Sequence, residues 1–158
     1  MLISLRKLRR PSPGKALFAG ALGGLAGGIV KAAAEVLYPP RVLGQASPTV
    51  LLVERIIEQP LSPRQEKLIE RAVHFAFSAG IGALYGLVAE YWPPVTAAGG
   101  GAFAVMLLGA THESALPALA LTEQPQYQSE HEQLSELLTH LIFGLTTEQV
   151  RRRLRASL

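Results

Sequence analysis

Ala16 to Tyr38 reads ALFAGALGGLAGGIVKAAAEVLY, an apolar run interrupted only by Lys31 and Glu35. Coiled as a helix at roughly 1.5 Å per residue, it is long enough to cross a hydrocarbon layer of about 30 Å. It also lacks the polar face of a soluble surface helix. Together these properties predict a membrane span. The basic flank and Ala32-Ala33-Ala34 would also suit a secretory leader; the segment is read here as a retained anchor.

Three further blocks follow the same logic. Ala72 to Trp92 is a second span, closed by Glu90-Tyr91-Trp92-Pro93-Pro94, an aromatic and proline boundary suited to a membrane interface. Residues 95–121 form a third, with Gly99-Gly100-Gly101 near its start and Pro117 near its end. Residues 130–150 form the fourth and least apolar, where Ser135, Glu136, Thr139 and His140 dilute the hydrophobic face. Between the first two spans lies a polar connection over 39–71. Its Val50, Leu51, Val53, Ile56 and Ile57 fall on a helical period and predict a short surface helix. The expected fold is all-α: an integral membrane four-helix bundle forming a single domain over 1–158. A soluble bundle with these stretches as its core is the competing architecture.

Composition sets limits. The 158 residues carry a net charge of +3, and 49% are hydrophobic. Mean hydropathy is +0.25, high for a soluble chain. With no cysteine, disulfides, thiolate catalysis and Cys-ligated metal are excluded. Basic residues gather at Arg6, Lys7, Arg9 and Arg10, at the four arginines within 151–155, and in the polar connection, without interleaved aromatics. That pattern does not predict a nucleic-acid partner. Four spans return the chain to its starting side, so the basic ends place both termini in the cytoplasm. Arg41, Arg55, Arg64, Lys67 and Arg71 in the outer connection run against that orientation.

Small residues recur at the interval that lets helix backbones meet: Gly20, Gly24 and Gly28 in the first span, Ser78, Gly82 and Gly86 in the second. These stripes serve either packing within one subunit or a homo-oligomer face. No lysine-hydroxyl ending follows Gly20 to Gly28, so a nucleotide-binding loop is rejected.

Depth along antiparallel spans brings the titratable residues to one level in the outer half of the bundle. Glu35, His74, His112, Glu113, Glu136 and His140 form the expected proton or ion pathway, with Lys31, Arg41 and Glu132 as ion-pair support. Glu132, Glu136 and His140 share a helical stripe. Burial disfavours the charged forms of carboxylate and imidazole alike unless they pair, so such a cluster can exchange protons near neutral pH. Bland alternatives stay open for each: Lys31 with Glu35 as a simple pair, His74 as an interfacial residue, Glu136 with His140 as an intrahelical contact. Alternatively His74, His112, Glu136 and His140 would ligate a transition metal, or two imidazoles a haem. No cofactor is required by the sequence. A third class is an accessory or scaffold subunit of a membrane complex. No nucleophile with a positioned base is present, and no enzyme is expected.

The order Glu35 before Pro39-Pro40-Arg41, His74-Phe75-Ala76-Phe77-Ser78, Ala89-Glu90-Tyr91-Trp92-Pro93, His112, then Glu130-His131 with Ser135-Glu136 and His140 resembles the YagU-like family of bacterial inner-membrane proteins. The resemblance spans about Ala19 to Arg153 and lies in the order and spacing of short motifs. It implies a multi-helix protein of the bacterial inner membrane, loosely associated with acid tolerance and without an established molecular activity. It also marks Glu35, Arg41, His74, His112, Glu136 and His140 for testing. Glu113, directly after His112, has no assigned counterpart in that family.

Overall fold

Proline and serine punctuate this chain into helices. The computed structural model describes residues 10–41 and 45–158, so the expected basic run at Arg6, Lys7 and Arg9 lies outside the described residues. Helix α1 (Pro13–Leu37) opens on a proline at its first turn and stops before Pro39-Pro40. Helix α2 (Pro48–Ile57) is the expected short helix, capped by Ser47, whose Oγ accepts from the Val50 N–H at 3.4 Å. Helix α3 (Pro63–Tyr91) starts well before Ala72, because Gln65 Oε1 accepts the Ser62 N–H at 2.9 Å and fixes the first turn.

The expected third span over 95–121 is present as an apolar segment, Pro93–Ala118, assembled from several helical pieces. A 3-10 stretch (Pro93–Gly100) leads into α4 (Gly101–Ala110), a π-helical turn (Thr111–Ala115) and the short α5 (Leu116–Ala118). The first break is a run of left-handed backbone, with Ala98 at φ 53°, Gly99 at 65° and Gly100 at 101°. Gly100 needs its missing side chain twice, since a Cβ there would also lie 2.9 Å from the Gly144 carbonyl carbon of the last helix. The π turn precedes Pro117, which has no N–H for the carbonyl of residue 113, so the ladder widens before it. A 3-10 turn (Pro125–Tyr127) leads to α6 (Glu130–Ser157), where Ser129 Oγ accepts the Glu132 N–H at 3.2 Å.

Among the described residues the structure is all-helical, without strands. Three segments, Pro13–Leu37, Pro63–Tyr91 and Pro93–Ala118, are long and apolar enough to cross a membrane. The expected fourth span is longer than 130–150 and is not apolar enough to join them. Helix α1 packs between α3 and α6, and α6 also packs on α4. The stripes Gly20, Gly24, Gly28 and Ser78, Gly82, Gly86 face each other across α1 and α3: a Cβ on Gly24 would sit 2.9 Å from Gly82 Cα, and one on Gly20 2.9 Å from Gly86 Cα. The small residues thus serve packing within the chain.

Around an apolar core of Tyr85, Val95, Phe103, Leu107 and Phe143, helices α1 and α6 bury small and polar side chains and expose large apolar ones. Helix α1 buries Ala16, Ala19 and glycines while Phe18, Ile29, Val36 and Leu37 stay exposed. Helix α6 buries Ser135, Glu136, Thr139, His140, Thr147, Glu148 and Arg151, yet Leu134, Leu138 and Leu145 are 48%, 42% and 46% exposed. Polar-in and apolar-out is the arrangement that suits a hydrocarbon solvent, and with the three apolar segments it suggests a membrane protein.

Candidate functional site

The site is built around one carboxylate. Glu136 lies in the second turn of α6, held there by the anchoring of that helix to the end of α1: Ser135 Oγ donates to the Tyr38 carbonyl at 2.7 Å, and His131 Nε2–H donates to the Pro39 carbonyl at 2.9 Å. Only 4% of Glu136 is exposed. Its Oε1 meets Arg41 Nη2 at 3.3 Å and His112 Nδ1 at 3.4 Å. Its Oε2 meets His140 Nδ1 at 3.5 Å and Lys31 Nζ at 3.8 Å. Lys31 also pairs with Glu35 and donates to Thr139 Oγ1 at 3.2 Å. Two cations and two carboxylates therefore share the site.

The imidazoles are oriented as well as close. A carbonyl can only accept, so His140 Nδ1–H donates to the backbone oxygen of Glu136 at 2.8 Å, which fixes the ring. The His112 ring meets it edge to face with centroids 4.9 Å apart. His112 sits in the π turn, where the widened coil sets its direction. Donor atoms of His112, Glu136 and His140, one from each, all lie within 4.8 Å of one another and could hold an ion. Glu136 Oε2 is buried and accepts no hydrogen bond from the described residues.

Not every expected member joins. Glu113 faces solvent or lipid, because successive side chains around a helical turn point in different directions and His112 takes the inward one. His74 lies on α3, and its Nε2–H donates to the Gly28 carbonyl at 3.0 Å; it reinforces the α1–α3 seam and is not in the group of three. Glu132 is half-buried one turn before Glu136 and lines a cavity with Arg41.

The sequence reading missed a second polar cluster nearer the opposite end of α6. Tyr85 Oη donates to Glu148 Oε2 at 2.8 Å, while Arg151 Nε and Nη2 donate to the two oxygens of Glu148 at 2.6 and 2.9 Å. The Arg151 guanidinium stands 5.8 Å from the Tyr85 ring centre. Beyond it, Arg155 donates to both oxygens of Glu90, which also accepts the Ser12 N–H at 2.9 Å. The available signal was the spacing Glu148-x-x-Arg151, one turn on a helix, together with a tyrosine in mid-span. Tyr85→Phe removes one hydrogen bond to a charged group, and a loss of about 1.5–3 kcal/mol is expected in unfolding measured in mixed micelles.

Comparison with known families bears on the same residues. The family described as "Protein of unknown function (DUF1440)" matches residues 25–149. The chain belongs to the DUF1440 family. The matched region contains Lys31, Glu35, Arg41, His112, Glu136, His140 and Glu148, and it stops short of Arg151. No curated protein and no solved structure matches this DUF1440 chain.

Proposed function

We propose that this protein is a non-enzymatic membrane protein whose Glu136, His112 and His140 take up and release protons. The observation that carries this reading is Glu136 Oε2, a buried carboxylate oxygen that accepts no hydrogen bond although two imidazoles and two cations surround its side chain. Buried polar groups are normally satisfied, and an exception calls for an explanation. With both imidazoles neutral, Lys31 and Arg41 balance Glu35 and Glu136. Each proton added to His112 or His140 changes that balance, and the network must rearrange or pass the proton on. A small channel, a transporter and an acid-response element all use such a group.

The same reading makes α6 a fourth crossing helix, since its leucines face outward beside those of the apolar segments. It puts the protein among YagU-like inner-membrane proteins with the basic ends cytoplasmic. A metal centre at His112, Glu136 and His140 is the second reading, favoured by their donor spacing. Lys31 and Arg41 on the same carboxylate weigh against it, while His140 Nδ1–H on a carbonyl leaves Nε2 free as a ligand. A haem is disfavoured further, because the two imidazoles already touch.

Infrared difference spectra of protein in lipid, recorded between mildly alkaline and mildly acidic buffer, test the proposal. A carboxyl band that is lost in Glu136→Gln, with imidazole bands lost in His112→Gln and His140→Gln, is the expected result. Spectra unchanged by all three substitutions, or stoichiometric metal in the purified protein, overturn it.

A further inference from the structure

A cavity of about 520 Å³ opens beside the Glu136 cluster, lined among others by Arg41, Thr122, Glu123, Tyr127, Ser129 and Glu132. We propose that it is the aqueous vestibule through which Glu136 exchanges with one side of the membrane, with the Arg41 guanidinium standing in the passage. The inference rests on the reading of Glu136 as a proton-exchanging group and adds the route.

Three independent features support it. Arg41 belongs to both places, because it lines the cavity and its Nη2 lies 3.3 Å from Glu136 Oε1. The two side chains form a gradient of exposure, 22% for Arg41 and 5% for Glu136, so the guanidinium lies between water and the carboxylate. Thr122 also lines the cavity, and its Oγ1 is buried with no hydrogen-bond partner among the described residues. A hydroxyl in that position is the kind of group that ordered water satisfies, and the volume accommodates several waters. Glu132, one turn from Glu136 on the same helix, continues the polar lining outward.

The far end of the bundle is different in kind. Glu148 is held by Arg151 and Tyr85, and Glu90 by Arg155 and Ser12, so each carboxylate there is paired with a guanidinium. Phe143, 2% exposed, lies on α6 between His140 and that cluster. Access from this end would have to break ion pairs and pass an aromatic ring, whereas access through the vestibule requires only that Arg41 move.

The absence of cysteine makes the test direct, since any introduced thiol is the only one. The full chain carrying Glu136→Cys or Thr139→Cys is reconstituted in sealed phosphatidylcholine–phosphatidylglycerol vesicles and exposed to a membrane-impermeant cationic methanethiosulfonate. Tyr127→Cys and Arg152→Cys mark the two sides. Labelling from the Tyr127 side alone, accelerated roughly tenfold by adding Arg41→Ala and unchanged by Arg41→Lys, is expected. Labelling from the Arg152 side, labelling from both sides alike, or indifference to Arg41→Ala overturns the proposal. Should the cluster variants fail to fold, Thr122→Cys leaves the cluster intact and must react from the Tyr127 side; if it does not, the vestibule is wrong. One-sided labelling combined with pH-silent infrared spectra would reject proton exchange while leaving the passage in place, so the two failures are distinguishable.

Discussion

Glu136→Ala is expected to destabilise the protein by on the order of 3–5 kcal/mol, more than any other single side-chain truncation in the cluster. The reason is the company it keeps. Arg41 would lose its carboxylate partner at 3.3 Å, and Lys31 would be left with Glu35 and the Thr139 hydroxyl alone. Removing one partner of a buried pair leaves an uncompensated charge, which is costlier than the pair is valuable. Glu136→Gln keeps the shape and one acceptor oxygen and should cost less, so the difference between the two variants isolates the charge. Glu113→Ala is the matched control, because Glu113 is exposed and takes no part in the group. Chemical unfolding in mixed micelles measures all three. Equal midpoints for Glu136→Ala and Glu113→Ala would show that the carboxylate does not organise its neighbours.

The second large effect belongs to the seam between α1 and α3. Gly82→Leu and Gly24→Leu are expected to abolish the folded protein. A Cβ on Gly82 would lie 2.6 Å from Gly24 Cα and 2.5 Å from the Gly20 carbonyl oxygen, and both obstacles are backbone. Overpacking against movable side chains costs about 1–3 kcal/mol; here two helices would have to separate along their whole contact. In a lipid environment no hydrophobic drive compensates for lost van der Waals contact between helices. Gly80→Leu is the control on the same helix, since nothing lies within 4 Å of a Cβ there. Monodispersity on size exclusion and thermal melting distinguish the outcomes: Gly80→Leu should behave as the parent. A well-folded Gly82→Leu would mean that the two helices do not meet as described.

How much of this was legible beforehand depends on the kind of signal. Apolar length picked out the three segments long enough to cross a membrane, and the four-residue spacing of small residues marked the faces that meet between α1 and α3, with a homo-oligomer face left open beside that reading. Counting depth along antiparallel helices brought Lys31, Glu35, His112, Glu136 and His140 to one level, and in the structure they lie within one network that Arg41, from the polar connection, also joins. Depth says nothing about direction around a helix axis. Hence Glu113 and His74 stood at the right level yet turned elsewhere, one outward and one onto a backbone carbonyl. Gly99-Gly100-Gly101 and Pro117 stood beside the breaks in the third span, but left-handed alanine and a π turn leave no mark on hydropathy, so the breaks themselves were not read. The Tyr85, Glu148 and Arg151 cluster was missed for a related reason. Its members are far apart in sequence, and the arginine looked like part of a basic, solvated terminus.

The π turn from Thr111 to Ala115 has a further consequence for this chain. A wide turn is an α-helix carrying one surplus residue, and the surplus acts as a rotational offset between what comes before and what comes after. Shortening the segment by a single position would restore ordinary winding and swing the imidazole of His112 away from Glu136, while α4 and α6 kept their own register. A change of residue in this stretch alters one contact, but a change of count re-aims the whole arm.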